Sequence, residues 1–182
     1  MNPVSPLFEK IDTSIEKKVD LIQGSYLRYA VRAMLACLFL TLGTAVAFAI
    51  AMKGEHITPG LGKMLYAFMF SWSLVMILYL NAELGTSNML YMTVGVYRKR
   101  LSVPLAAKIL FTCILFNLIG GVLFAALVAQ TTPFQGLEPD NFFFTSIQAK
   151  LAKSTLQILV EGMFANIVVN TDVLLSMRMK DE

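Results

Sequence analysis

Charged side chains are scarce in this chain. Aspartate, glutamate, lysine and arginine together make up 15% of its 182 residues, and the formal net charge is only +3. Soluble domains carry about a quarter charged residues, and so small a net charge does not favour a nucleic-acid partner. Hydrophobic residues reach 57%, and the mean hydropathy is +0.66. Together these values predict an integral membrane protein in a lipid bilayer.

Histidine and cysteine are also rare, with one and two residues respectively. Cys37 and Cys113 both lie in apolar runs, which indicates packing residues and not a disulfide. The sequence has no P-loop, no Cys/His spacing for a metal and no nucleophile–base constellation. We therefore expect a protein that is not an enzyme and that uses no metal or cofactor.

Long apolar runs dominate the chain. A spanning helix needs about 20 apolar residues, and four runs are long enough, at residues 26–52, 64–97, 103–129 and 156–177. They predict an all-α, polytopic membrane domain over residues 26–182. Residues 1–25 are predicted to form a cytoplasmic amphipathic helix on the membrane or on a neighbouring subunit. Its apolar positions recur at helical spacing, at Phe8, Ile11, Ile15, Val19 and Ile22.

Lysine and arginine cluster at the ends of the apolar runs. With four crossings, three basic clusters fall on one side of the membrane: Lys10, Lys17, Lys18 and Arg28; Arg98, Lys99 and Arg100; and Arg178 and Lys180. The positive-inside rule makes that side cytoplasmic. We therefore expect a multi-pass protein of the plasma membrane with both termini of this chain in the cytoplasm. The segment at 131–148 is predicted to be a loop on the opposite side.

A polar cluster interrupts the second run, in the stretch LNAELGTSNML at residues 80–90. Lipid cannot hydrogen-bond freed backbone groups, so irregular backbone at membrane depth must be buried in protein or line a cavity. The cluster predicts a helix broken within residues 81–87. The alternative is a continuous helix whose polar side chains form a seam with neighbouring helices.

The residues around the break predict its details. The second half-helix is expected to start near Ser87 or Asn88, because Thr86, Ser87 and Asn88 are good N-cap residues. Gly85 gives the backbone the freedom that a tight turn needs. The positive end of that half-helix would favour an anion.

Several motifs occur in a recognisable order. AELGTSN at 82–88 is followed by YRKR at 97–100, LFNLIGGVLFAAL at 115–127 and KLAKSTLQILVEGMFANIVV at 150–169. The ordered set resembles the formate/nitrite transporter family. The resemblance implies a homopentamer of aquaporin-like protomers, each with a pore for small monovalent weak-acid anions such as formate, nitrite, hydrosulfide or lactate.

Members of that family have six spans in an inverted repeat, with a central histidine on the fifth. This sequence ends where the fifth span would begin, and its one histidine, His56, lies between the first two runs. We therefore expect the chain to correspond to the N-terminal portion of a protomer, its first four spans.

The resemblance also implies roles for particular residues in the pore. Thr86 matches a pore threonine that would face the central histidine. Leu84 matches an inner constriction, and Gly85, where some members have phenylalanine, would widen it. Phe70 and Leu74 match an outer constriction, although their spacing alone favours ordinary helix packing.

Polar residues of the last run complete the candidate site. Lys150 matches a vestibule lysine that attracts anions, with Lys153 one turn further along, and snorkelling at the membrane surface is the alternative. Asn166 matches an asparagine that holds the broken loops by hydrogen bonds, and a helix-seam bond is its alternative. Glu161 requires a partner inside the protein, either Thr86 or Lys153. Asp172 is expected to pair with Arg178.

We therefore predict a channel or transporter for small weak-acid anions, proton-linked because a neutral acid crosses an apolar gate more easily than an anion. Close approach between subunits of the pentamer is expected at Gly43, Gly120 and Gly121. The alternative is a four-span membrane scaffold or partner-binding protein without transport activity.

Overall fold

The computed structural model describes residues 5–179, which form seven α-helices and one short 3₁₀ helix. The predicted all-α, polytopic membrane fold is confirmed. Lys180, counted above in the third basic cluster, lies outside the described residues. The helices are α1 (Pro6–Gly24), α2 (Tyr26–Ile57), α3 (Leu61–Tyr79), α4 (Gly85–Tyr97), α5 (Val103–Val128), α6 (Phe142–Leu151) and α7 (Thr155–Met179), with the 3₁₀ helix at Thr132–Phe134.

Four helices of the described part are long and apolar enough to cross a membrane: α2, α3, α5 and α7. Their bounds differ from the apolar runs mainly between α2 and α3, where hydropathy predicts a loop from Lys53 onwards. α2 instead continues to Ile57, and α3 already begins at Leu61. The Glu55 carboxylate accepts hydrogen bonds from the N–H groups of Gly60 (2.9 Å) and Gly62 (3.0 Å), which closes the connection into a tight turn.

The second apolar run is broken as predicted. α3 ends at Tyr79, α4 begins at Gly85, and residues 80–84 between them are not helical. The residue with left-handed backbone is Asn81, at φ 52°, and not Gly85, which is the first residue of α4. Asparagine adopts this conformation more readily than most residues, so Asn81 makes the turn.

The segment at 131–148, predicted as a loop, contains helical structure. The 3₁₀ helix is followed by α6, whose N-cap is Asn141, with its side chain accepting from the Phe143 N–H at 2.9 Å. The Phe143 ring packs 4.9 Å from the Phe48 ring of α2. The prediction missed α6 because a helix of ten residues is too short to show a clear hydrophobic period.

α2 is the central helix, and it packs against α3 and α5. Gly43 and Gly120 lie at these contacts. A Cβ on Gly43 would come within 2.5 Å of Ser73 Cβ, and one on Gly120 within 2.7 Å of the Met34 carbonyl oxygen. These two glycines thus bring helices of the same chain together, and their predicted role in contacts between subunits stays a prediction.

α1 packs across α2, α4 and α7. Its apolar stripe buries Ile11, Ile15 and Ile22 in a core shared with Tyr29, Ile109 and Val173. The amphipathic pattern thus has its partner within the same chain. α1 lies alongside α4, and it contacts both the helix break, through Lys18, and the segment at 98–100, through Asp12.

Candidate functional site

The side-chain amide of Asn117, halfway along α5, holds the backbone of the break on both sides of Leu84. Asn117 Nδ2 donates to the carbonyl oxygens of Ala33 (2.7 Å) and Glu83 (2.9 Å), and Asn117 Oδ1 accepts from the Gly85 N–H (2.8 Å). Glu83 also donates its backbone N–H to the Arg32 carbonyl of α2 at 3.2 Å. Freed backbone groups of the break are therefore satisfied by protein, as membrane depth demands.

Glu83 places a carboxylate inside the molecule, only 4% exposed. Lys18 Nζ of α1 lies 2.6 Å from Glu83 Oε2, and Asn88 Nδ2 donates to the same oxygen at 3.0 Å. Lys18 also lies over the Tyr91 ring, 4.7 Å from its centre. A buried charge is tolerated when it is paired and hydrogen-bonded, so α1 supplies the cation that lets the break contain an acid.

Asn88 forms a buried polar cluster with side chains of α2 and α5. It is fully buried, and its Nδ2 lies 3.0 Å from Tyr29 Oη and 3.1 Å from Cys113 Sγ. Tyr29 Oη in turn donates to the Ile109 carbonyl at 3.3 Å, and Cys113 Sγ to the Glu83 carbonyl at 3.2 Å. Both cysteines are free thiols, as predicted. The cluster fixes the first turn of α4 against the two helices behind it.

A second ion cluster anchors α1 at the far end of α4. Asp12 accepts from Arg98 Nη2 at 2.9 Å and lies 3.0 Å from Arg100 Nη2, and Arg98 also covers the Phe8 ring. The hydrogen bonds from Arg98, and then the charges of both arginines, hold the pKa of Asp12 below its ordinary value. The carboxylate stays ionised at neutral pH, so α1 is fastened at both ends of α4.

The open side of the break faces α7. A narrow gap lies between α3, the break and α7, and its lining residues are Leu74, Ile77, Leu78, Leu84, Ser87, Val169, Asp172 and Val173. Asp172 makes no ion pair with Arg178 within the part of the chain that the structure describes, contrary to the expectation. Its position in this gap keeps it beside the break.

Two lysines lie near the start of α7. Lys150 is in the last turn of α6, exposed, and makes no ion pair among residues 5–179. Lys153 Nζ lies 2.5 Å from Glu161 Oε2, so Lys153 is one of the two expected partners, but the Glu161 side chain is 58% exposed and the pair does not lie inside the described chain. The acid neutralises Lys153 locally, whereas Lys150 carries no such ion pair among residues 5–179.

A family model described as formate/nitrite transporter matches residues 5–182. The chain belongs to the formate/nitrite transporter family. A curated relative, the "Uncharacterized transporter YwcJ" of Bacillus subtilis (strain 168), is 25% identical over 177 residues, which are 96% of this chain and 68% of the relative. The protein is thus a multi-pass membrane protein of a transporter family, and it contains no cluster of three or more metal-ligating side chains within residues 5–179.

The family's broken helix begins differently here from the prediction. Leu84 occupies the N-cap position of α4, and no side chain caps the helix locally. The predicted capping by Thr86, Ser87 or Asn88 is wrong, since all three lie inside the first turn. Asn117 from α5 provides the acceptor that a local cap would have supplied.

Gly85 lies against α5. A Cβ at this position would come within 3.2 Å of Ile114 Cγ1 and 3.3 Å of Asn117 Oδ1. The close approach of α5 therefore gives a packing reason for a glycine, beside the wider gate that the family resemblance implies.

The two residues matched to the outer constriction have different surroundings. The Phe70 ring stacks on Tyr66, with their centres 5.8 Å apart. Leu74 instead packs against Ile77 and Leu84 and lines the gap beside α7. The structure therefore brings Leu74 together with the predicted inner residue Leu84, one helical turn along α3 from the Phe70 aromatic pair.

The loop-holding asparagine of the described chain is Asn117 and not Asn166. Asn166 Nδ2 bonds to the Gly162 carbonyl of its own helix at 3.0 Å, and its Oδ1 has no partner in the described part of the chain. The sequence signal for Asn117 was a lone amide in the apolar motif LFNLIGG. For Lys18, the partner of Glu83, the sequence predicts only a role among the basic residues that set orientation.

Proposed function

We propose that this protein is a channel-like transporter of small monovalent weak-acid anions, with formate, nitrite, hydrosulfide and lactate as the candidate substrates. The chain forms part of the wall of one pore protomer, and the intact protein assembles as a homopentamer. Family membership supports the substrate class, and the relative it matches is named only as an uncharacterised transporter.

The observation that carries the proposal is the broken helix. Residues 80–84 leave the helical path between two apolar helices, and Asn117, Glu83 and Lys18 stabilise that irregular backbone with buried polar contacts. Membrane proteins tolerate such backbone where it lines a cavity. The first turn of α4, which carries Thr86, would then line that cavity. A helix N-terminus favours negative charge, so this turn suits an anionic substrate.

Lys150 and two leucines near the break suggest how an anion crosses. Lys150 attracts the anion to the mouth and raises its local concentration. Leu74 and Leu84 make the passage beside α7 apolar, and an ion loses its hydration there at high cost. Desolvation raises the pKa of the weak acid, so it takes a proton from bulk water or a pore group and crosses as the neutral acid. No covalent step is needed, and we infer a protein that is not an enzyme.

Localisation follows from the basic residues. Asp12 of α1 pairs with Arg98 and Arg100. α1 and the basic segment at 98–100 therefore lie at the same end of the bundle. The positive-inside rule assigns that end to the cytoplasm. We therefore propose a plasma-membrane protein with α1 and the end of α7 on the cytoplasmic side.

Uptake by vesicles that contain the intact protein tests the function. We expect formate uptake above that of empty vesicles, and a decrease of about three- to tenfold in Thr86→Val, because one hydrogen bond to the substrate is lost. Thr93→Val is the matched control, since Thr93 is an exposed threonine of the same helix.

The rival function, a four-span scaffold, predicts the opposite result. If vesicles with the protein take up none of the four anions faster than empty vesicles do, the transporter proposal fails. The polar break would then be a packing seam.

A further inference from the structure

Three buried polar atoms on α4 and α7 lack a hydrogen-bond partner among residues 5–179: Thr86 Oγ1, Asn166 Oδ1 and Asn170 Oδ1. A fourth, Asn88 Oδ1, belongs to a fully buried side chain whose Nδ2 contacts Tyr29 and Cys113. Native proteins pair nearly all buried polar atoms, so unpaired atoms indicate a water, a ligand or a further segment at that place. Two of the three, Thr86 and Asn166, match pore residues of the family, whereas nothing in the resemblance assigns a role to Asn170.

Asn170 lies on α7, the helix that borders the open side of the break. Its neighbour Val169 lines the same gap as Leu84 and Ser87, and α7 packs against α4. Asn166, Asn170, Val173 and Met177 follow one another at helical spacing, and the last two are buried in the shared core. Asn170 therefore continues the protein-facing stripe of α7, one turn from Asn166 and near the middle of the helix. An amide at such depth is expected to face protein or a cavity and not lipid.

The unpaired atom of Asn170 is an acceptor, because an amide oxygen offers lone pairs and no proton. It can bind a molecule that carries a donor, and an anion without a proton is repelled by it. The neutral forms of formate and nitrite carry an O–H group that fits this acceptor. The neutral form of hydrosulfide has only S–H groups, which are weak donors.

We propose that Asn170 is a further substrate-contacting residue, which accepts a hydrogen bond from the O–H of the neutral acid as it passes the break. The inference rests on the proposed transport function. The contact would make transport selective, because it favours oxygen acids over the sulfur acid. It would act together with Thr86.

Uptake of formate and of hydrosulfide by vesicles containing the intact protein separates this role from a structural one. Asn170→Leu keeps the side-chain size and removes the acceptor. We expect it to lower formate uptake about three- to tenfold, the range of one net hydrogen bond, and to change hydrosulfide uptake less than about twofold. Asn170→Ser retains an acceptor oxygen and should recover much of the formate uptake.

Thr171→Val is the matched control, because Thr171 is exposed on the same helix and its hydroxyl bonds to the Ile167 carbonyl at 2.8 Å. It should leave both rates unchanged. If Asn170→Leu prevents assembly, Asn170→Ala replaces it, and the ratio of formate to hydrosulfide uptake relative to the unsubstituted protein is again the measured quantity.

Equal losses for formate and hydrosulfide, or no loss for either, would overturn the assignment of Asn170. So would a loss in Asn170→Ser as large as in Asn170→Leu. An unsubstituted protein that transports neither anion is a different result, because it rejects the transport function on which the inference depends.

Discussion

At the scale of single residues, the buried carboxylate of Glu83 is the feature with the largest energetic consequence. It lies in an irregular segment with its charge compensated by Lys18, 65 residues away in the chain. The two side chains are only 13% and 5% exposed. Removing one partner of such a pair leaves an unpaired charge in a poorly solvated place, which costs much more than losing an exposed ion pair.

Lys18→Met should therefore lower the free energy of unfolding by about 3–5 kcal/mol. The double variant Lys18→Met/Glu83→Gln should lose much less, because no charge is then left buried. Unfolding of the intact protein in detergent micelles measures both. Lys17→Met, an exposed neighbour on α1, is the control and should change stability little. Equal stabilities of the Lys17 and Lys18 variants would show that the pair does not matter.

At the scale of helices, the close approach of α5 to α2 decides where the break is held. Gly120 lets the α5 backbone approach the carbonyl of Met34, and three residues earlier Asn117 reaches Ala33 and the break. The two helices run in the same direction, with α3 and α4 returning between them. A change in the α2–α5 distance would therefore be transmitted to the hydrogen bonds of the break.

Gly120→Ala should destabilise the protein by about 1–3 kcal/mol, because a methyl group would meet backbone atoms that cannot rotate away. The adjacent Gly121→Ala is the matched control, since a Cβ there would lie 3.9 Å from the Cys37 side chain, an ordinary contact. Both variants gain the same helix propensity, so their difference in unfolding midpoint isolates the clash. A smaller loss in Gly120→Ala than in Gly121→Ala would contradict the packing described here.

At the scale of the whole molecule, basic side chains lie at both ends of the bundle. One end carries α1 and the paired arginines of the segment at 98–100. Lys150 lies near the other end, at the connection from α6 to α7, while Glu161 pairs with Lys153. Most of α7 remains exposed in the described chain, with only 6% of its most apolar window buried. The candidate passage thus lies along a helix that α3 and α4 cover on one side only.

Lys150→Ala should reduce formate uptake by the intact protein most strongly at low salt, and the loss should shrink as salt rises. A surface charge acts over a Debye length of about 10 Å at about 0.1 M salt and over a shorter distance above that. The measurement is uptake at several ionic strengths, with Lys17→Ala as a control at the other end of the molecule. A loss that does not depend on salt would reject attraction by the field of Lys150.

The break illustrates how far the sequence leads. A polar cluster inside an apolar run predicted the interruption, because lipid cannot satisfy a freed backbone group. The same reasoning placed the N-cap at Thr86, Ser87 or Asn88, whereas α4 begins earlier, at Gly85. Local capping rules failed because the acceptor came from Asn117 of another helix. The partner of Glu161 was among the two expected, since Lys153 is close to it in sequence.

The sequence by itself determined the all-α membrane fold, the approximate spans and an interruption predicted within residues 81–87, because transfer of an apolar segment into lipid is a property of that segment alone. Only the tertiary structure decided that Asn117 holds the break, that Lys18 neutralises Glu83 and that Asn170 faces the protein. These partners depend on how each helix is rotated about its axis and packed on its neighbours. A helix that is apolar on nearly all sides carries no periodic signal for that rotation.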